Sequence, residues 1–513
     1  MQIKTFSVAF CVLVICGYNS TGQNSNVDRT GEVTPINKQD KRPNILFVIM
    51  DDWSWPHASA YGDKVVKTPA FDRVAKAGVL FTNTYCVSPS CTPSRGSILT
   101  GQTIHRLEEG GNLWSILPKK FRVYPDVLEE AGYHVGYTGK AWDPGILAGS
   151  GRTRNPAGPE YNQIIIKPVT PEISNVDYAA NFEAFFKSRS QGQPFCFWYG
   201  SSEPHRKYKK GIGLEQGKNP GLVQLPAYLP DYPEVRNDFL DYYAEVEYAD
   251  QQLGKMLELL EKAGELENTL IMVTGDNGLP FPRSKANLYD GGTREPLAVS
   301  WPARIRGNRV NSAFISFTDL APTILEAAGL KPWAEMTGIS FLDILEGKKI
   351  IHRNEVFLER ERHADVRKGG LGYPCRAIRT KEYLYIFNLK PDRWPAGDPE
   401  KFGDVDDSPT KQFILDKRNE KDMKPYFDLS FAKRPAEELY DLRTDSAQLV
   451  NVADQPKYAG IKQKLKKQLE NWMKQSADPR ANNQEALFDT YPYYRAEDRN
   501  KESGRKGKPD KGN

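Results

Sequence analysis

Asn44-Ile45-Leu46-Phe47-Val48-Ile49-Met50-Asp51-Asp52 is an apolar run that stops on two aspartates. Such a run has no water-facing side, so it reads as a central parallel strand covered on both faces. Working outward, further strands are expected around His134 to Tyr137, at Phe195-Cys196-Phe197-Trp198-Tyr199 and over Thr269 to Thr274. Between them fall helical segments at Pro69 to Ala77, Tyr124 to Ala131, Tyr178 to Lys187 and Phe239 to Ala263. Alternation of this kind predicts an α/β fold on a large, doubly wound, mainly parallel sheet. Ligands in such folds sit beyond the carboxyl ends of the strands, where Asp51-Asp52 and Gly275-Asp276-Asn277 both fall. After about Gly347 short strand-like pieces, Glu355 to Leu358 and Tyr383 to Phe387, replace the alternation before a last helix from Tyr458 to Lys474. They predict a smaller C-terminal α+β domain.

At 513 residues, 39% hydrophobic and 27% charged, the chain can bury a large core and is too long for one ordinary domain. A formal charge of +4 is small for this length and argues against nucleic acid, although local basic residues can still draw an anionic substrate. Met1 to Ile15 is a lysine-bearing start followed by an apolar run too short to span a bilayer, which reads as an export signal to the periplasm or the medium. Ser20-Thr21-Gly22 offers a cleavage site before Gln23; the alternative is a lipobox, Leu13-Val14-Ile15-Cys16, tethering the chain to the outer membrane through Cys16. No later segment is apolar enough for a transmembrane helix. The expected organisation is a signal peptide over 1–22, a flexible lead-in over 23–41, a large domain over 42–347, the α+β domain over 348–494 and a disordered Lys-, Gly- and Pro-rich tail over 495–513. Cys86, Cys196 and Cys375 read as buried small hydrophobes and not as a disulfide framework.

The remaining mature cysteine stands in Cys91-Thr92-Pro93-Ser94-Arg95. Asp51 and Asp52 after one strand, with Asp276 and Asn277 after another, supply hard oxygen ligands suited to calcium or magnesium. Together these positions resemble the sulfatase family of the alkaline-phosphatase superfamily, whose C-x-P-S-R cysteine is converted to Cα-formylglycine by a formylglycine-generating enzyme. The resemblance runs from about Pro43 to the last helix, and implies an alkaline-phosphatase-like catalytic domain over 42–347. It also implies a metal site, calcium in preference to magnesium, held by Asp51, Asp52, Asp276, Asn277 and the residue made from Cys91. Arg95 becomes the signature arginine that steadies the modified residue. Lys140, in Thr138-Gly139-Lys140, faces the sulfate, and Lys285, between Asp276-Asn277 and Tyr289-Asp290-Gly291-Gly292, grips it. His205, in Glu203-Pro204-His205, is the candidate general acid.

The implied roles have physical reasons. A serine or cysteine attacking sulfur leaves a sulfate ester that is hard to hydrolyse, whereas a geminal diol can expel sulfate by collapsing to an aldehyde. Cations placed where negative charge develops stabilise the transition state. The sequence departs from the family at one place: where many members read Gly-Lys-x-His, Gly139-Lys140-Ala141-Trp142 has tryptophan, so the base for the release step passes to Asp143 or His105. Gly275 to Pro282 and the region from His363 to Arg376 resemble the heparan N-sulfatase branch, which includes marine bacterial sulfatases active on ulvan. Sulfated polysaccharide is then the expected substrate, with His105, His363 and Arg376 as candidate sugar contacts and Arg152 and Arg154 in a candidate substrate loop, Gly145 to Tyr161. The alternatives are heparan-type glycans, a phosphonate or phosphodiester hydrolase of the same superfamily, and a glycan-binding protein that has lost catalysis.

Overall fold

The apolar run forms β1 (Asn44–Met50), with every residue buried. Its alternate side chains serve two cores: Leu46, Val48 and Met50 pack on one face of the sheet, Ile45, Phe47 and Ile49 on the other. Fully burying each such side chain contributes about 1.5–3 kcal/mol, which is why the run is continuous and not alternating. The computed structural model describes residues 42–482 and 484–495, and the expected signal, lead-in and nearly all of the tail lie outside them.

Further strands are β2 (Val79–Tyr85), β3 (His134–Gly139), β4 (Phe195–Ser201), β5 (Thr269–Gly275), β6 (Arg294–Ser300) and β7 (Arg309–Ser316), joined in the order β3-β4-β1-β5-β6-β2-β7. β1 is parallel to β4 and β5, β3 to β4, and β2 to β7; β6 runs antiparallel between β5 and β2. The helices are α1 (Pro69–Ala77), α2 (Cys91–Thr100), α3 (Tyr124–Glu130) and α4 (Tyr178–Ser188), then Pro233–Lys262 and Leu320–Ala327. Pro233–Lys262 starts earlier than the expected Phe239 because a proline suits the first helical turn, where its missing N–H is no loss. This helix and α4 cover one face; Leu320–Ala327 and α3 cover the other.

A second sheet, antiparallel in the order β11-β10-β9-β8, is made of β8 (Glu355–Arg360), β9 (Cys375–Thr380), β10 (Tyr383–Asn388) and β11 (Glu437–Asp441). The last long helix, Ala459–Gln475, lays Leu465, Leu469 and Met473 on Ile378, Tyr385 and Leu439. Both sheets belong to one compact unit. Among the described residues no helix is long and apolar enough to cross a membrane, and Cys86, Cys91, Cys196 and Cys375 are buried free thiols.

Candidate active site

Because β3, β4, β1 and β5 are parallel, the residues that follow them emerge along one edge. The main-chain N–H of Lys140 donates to Gly200 O at 2.7 Å, that of Asp51 to Glu203 O at 3.1 Å, and that of Asp276 to Met50 O at 3.1 Å. Two glycines permit this crowding: a Cβ on Gly200 would lie 1.7 Å from Lys140 O, and one on Gly275 would lie 1.7 Å from Trp53 O. Asp52 takes φ of 65°, a strained left-handed conformation for a non-glycine residue; its main-chain N–H donates to Asp276 Oδ1 at 2.9 Å.

The chain leaves β2 and enters α2 with Cys91 in its first turn, so this cysteine sits at the positive end of a helix. Cys91 Sγ lies 3.6 Å from Asp51 Oδ1 and 3.9 Å from Asn277 Nδ2. One turn on, the fully buried Arg95 donates through Nε to Asp276 Oδ2 at 2.7 Å and through Nη1 to the carbonyls of Lys140 and Ala141. Burial holds the Cys91 thiol far above its usual range, with Lys140 pulling down and Asp51 pushing up, so the thiol stays protonated.

Two lysines and a histidine face the carboxylates. Lys140 Nζ meets Asp51 Oδ2 at 2.5 Å; Lys285 Nζ meets Asp52 Oδ2 at 2.8 Å and Asp406 Oδ2 at 3.2 Å. His205 Nδ1 lies 2.7 Å from Arg206 O, and since a carbonyl only accepts, Nδ1 carries the proton and Nε2 faces Asp52 Oδ2 at 3.8 Å. Arg206 in turn grips Asp238 with two bonds of 2.7 and 2.9 Å, which pins the segment that carries His205. Burial pushes the Asp52 carboxyl up to about 6 against the pull of Lys285 and His205, whereas burial at Asp51 is outweighed by the cations around it, which hold its carboxyl well below the usual range. Four carboxylates, Asp51, Asp52, Asp276 and Asp406, stand against three permanent cations, Arg95, Lys140 and Lys285.

This donor set fits a divalent cation. Asp51, Asp52 and Cys91 present ligand atoms within 4.8 Å of one another, and the buried Asn277 Oδ1 has no hydrogen-bond partner. A hard divalent ion would turn the one excess negative charge into one excess positive charge, which favours an oxyanion.

A cavity of about 340 Å³ opens over these groups, lined among others by Cys91, Trp114, Lys140, His205, Lys285 and His363. His363 Nδ1 lies 2.8 Å from Ser90 Oγ, and burial pushes the imidazole down to about 3, so it is neutral. Asp143 also lines the cavity, whereas Trp142 is core, its Nε1 donating to Thr92 O at 3.2 Å.

Two expected sugar contacts lie elsewhere. His105 Nδ1 meets Glu359 Oε2 at 2.6 Å and its ring stands edge-on to Trp472; Arg376, on β9, is fully buried and spends its guanidinium on Asp478 and Glu361, both at 2.7 Å. Neither lines the cavity, and burial with matched counter-charges leaves neither free for substrate. The loop arginines are likewise committed, Arg152 to Leu117 O at 2.9 Å and Arg154 to Asp126 at 3.0 Å. Asp406 and Trp114 were not legible in the sequence: one is the middle of three aspartates in Asp404-Val405-Asp406-Asp407, the other follows Leu113 in a segment with no clear periodicity.

The family model described as Sulfatase matches residues 43–330, and that described as N-sulphoglucosamine sulphohydrolase, C-terminal, matches residues 283–426. The chain belongs to the sulfatase family, in its heparan N-sulfatase-like branch, and is thus a sulfuric ester hydrolase. It is 28% identical to an ulvan-active sulfatase of Formosa agariphila, covering 91% of this chain and 80% of that one. It is also 28% identical to the N-sulphoglucosamine sulphohydrolase of Homo sapiens, covering 85% and 91%. A structure solved in complex with its substrate D-glucosamine-2-N,6-O-disulfate shares the fold at TM-score 0.61, with 22% identity over 85% of this chain and 98% of that one. The phosphonate monoester hydrolase of Agrobacterium radiobacter shares it at TM-score 0.59, with 20% identity over 85% and 97%.

Proposed function

We propose that this enzyme removes sulfate from a sulfated polysaccharide or its oligosaccharides, with ulvan as the substrate, using formylglycine made from Cys91 and one calcium ion. The observation that carries the reading is the convergence of Cys91, three aspartates, Asn277, Lys140, Lys285 and His205 at one sheet edge around one cavity. The relatives named above, active on ulvan and on N-sulphoglucosamine, support a glycan substrate. On this reading Asp51, Asp52, Asp276 and Asn277 hold the metal together with the residue at 91.

A formylglycine at position 91 would supply the attacking hydroxyl, and a calcium ion held by Asp51, Asp52, Asp276 and Asn277 would lower its pKa and neutralise sulfate oxygens. Lys140 and Lys285 place point charges beside the sulfate, where the transition state spreads negative charge. Arg95 fixes α2 against Asp276. His205 holds the leaving oxygen's proton at Nε2, since Nδ1 is already bonded to a carbonyl. With Trp142 in the core and His105 paired to Glu359, Asp143 is the group that accepts the proton when sulfate departs.

The N-terminal signal exports the chain to the periplasm or medium, with lipidation of Cys16 as the alternative, and a formylglycine-generating enzyme is its partner in maturation. Residues 42–347 form the catalytic domain and 348–494 the C-terminal α+β domain. The test is sulfate release by the modified protein from ulvan and heparan-type oligosaccharides, beside an aryl sulfate and an aryl phosphodiester. Release from ulvan fragments is expected. Release from heparan-type fragments alone would move the substrate, turnover of the phosphodiester alone would favour a phosphonate or phosphodiester hydrolase, and no turnover by modified protein would favour a glycan-binding homologue.

A further inference from the structure

Lys285 is a flexible four-carbon stem ending in a point charge, and nothing in lysine itself fixes the direction of that charge. The structure holds it with two carboxylates: Asp52 Oδ2 at 2.8 Å and Asp406 Oδ2 at 3.2 Å. An ammonium has three N–H donors, so two are engaged and the third remains for the cavity that Lys285 lines. Asp52 is one of the residues read as a metal ligand. Once it is drawn to a cation, Asp406 is the lasting counter-charge of this lysine.

Asp406 does not sit there by chance of a loose loop. Two residues earlier, the buried Asp404 accepts from Arg360 Nη2 at 2.7 Å, at the end of β8, and also from Arg367. The other oxygen of Asp404 accepts the main-chain N–H of Ala364 at 3.1 Å, next to His363 on the cavity wall. Lys411 Nζ closes the loop from the other side by donating to Val405 O at 2.8 Å. One carboxylate from the second sheet's connections therefore sets both His363 and Asp406.

We infer that Asp406 is a positioning residue of the sulfate site: it holds the Lys285 ammonium aimed into the cavity, and Asp404 clamps the loop that delivers it. The inference rests on the reading of Lys285 as a sulfate ligand. It has a sign that plain electrostatics does not share. Removing a negative charge beside an anion site should tighten sulfate binding, whereas losing the hold on Lys285 should weaken it.

The experiment is a double-mutant cycle on the modified full-length protein, with Asp406→Asn, Lys285→Met and the pair, read by calorimetric binding of inorganic sulfate and by kcat for sulfate release. Asp406→Ser serves as a second variant, and melting curves report folding. Expected are sulfate binding at least fivefold weaker and kcat at least tenfold lower in Asp406→Asn, with less than a twofold further change when it is added to Lys285→Met. Tighter sulfate binding in Asp406→Asn, or effects that multiply in the double variant, would overturn the inference while leaving the sulfatase reading intact. A wild-type protein that neither binds nor releases sulfate would overturn both.

Discussion

Trp142 stands two residues after Lys140, where the resemblance to the family leads one to expect a histidine, and it is buried in the core. The Trp142 indole turns inward, is 1% exposed, and anchors to Thr92 O beside Cys91. The next residue, Asp143, then lines the cavity. Replacing a general base in such a step costs about 10²–10⁴-fold. Asp143→Asn should accordingly lower the steady-state rate within that range while the first turnover, followed as a burst of leaving alcohol, persists; His105→Ala should leave the burst and the ratio of burst to steady state as they are. Equal loss in both phases for Asp143→Asn would contradict this assignment.

Among the elements, the parallel strands were readable because each is a closed apolar run ending in polar residues, so β1, β4 and β5 could be placed together with the edge their ends share. β2 and β6 were harder to see. β2 carries Thr82 and Asn83 where its pairing with β6 and β7 shifts register, and β6 begins with Arg294-Glu295, a charged start atypical of a central strand. Charge also misled at His105 and Arg376, where residues suited to a sulfated sugar instead tie the turn Ile104–Arg106, β9 and the helix Ala459–Gln475 into one buried cluster with Glu359, Glu361 and Asp478. Removing one partner of a buried ion pair costs about 3–5 kcal/mol, so Asp478→Ala should destabilise the fold by that much in denaturant titrations. The cluster also has a pH signature. Burial opposes charge on His105, but the Glu359 carboxylate outweighs it and the imidazole is raised above its ordinary 6.5. A raised folded value adds stability that is complete below the ordinary value and is lost as pH climbs through the folded one. His105→Gln should therefore differ most from wild type in melting temperature in mildly acidic buffer and least in alkaline buffer; a gap that widens with pH would contradict it.

At the scale of the whole molecule, the site is completed by segments far from the sheet edge, and those segments supply the parts that were not legible. Aspartates, lysines and the cysteine signature announce themselves by residue type and by place after a strand. Asp406, Trp114 and the Ser90 to His363 contact depend on how the second sheet and the segment 487–494 fold back, and no local pattern encodes that. The C-terminal segment is an example: Tyr494 N donates to Trp114 O at 3.0 Å, Arg362 Nη2 donates to Tyr491 O and Pro492 O at 2.8 Å, and Asn112 Nδ2 donates to Phe488 O at 3.0 Å. Tyr493 packs on the small cluster of Cys91, Leu113 and Trp114. Truncation before Leu487 should lower kcat/KM for a sulfated oligosaccharide by tenfold or more with a melting temperature reduced by only a few degrees; unchanged kinetics would show that this buttress is dispensable. The most direct test of the central claim joins modification to turnover. Protein made with graded amounts of a formylglycine-generating enzyme is analysed by mass spectrometry of the peptide holding Cys91 and by sulfate release. The account predicts a rate proportional to the modified fraction and at background for Cys91→Ala; sulfate release that is independent of modification, or that survives in Cys91→Ala, would contradict it.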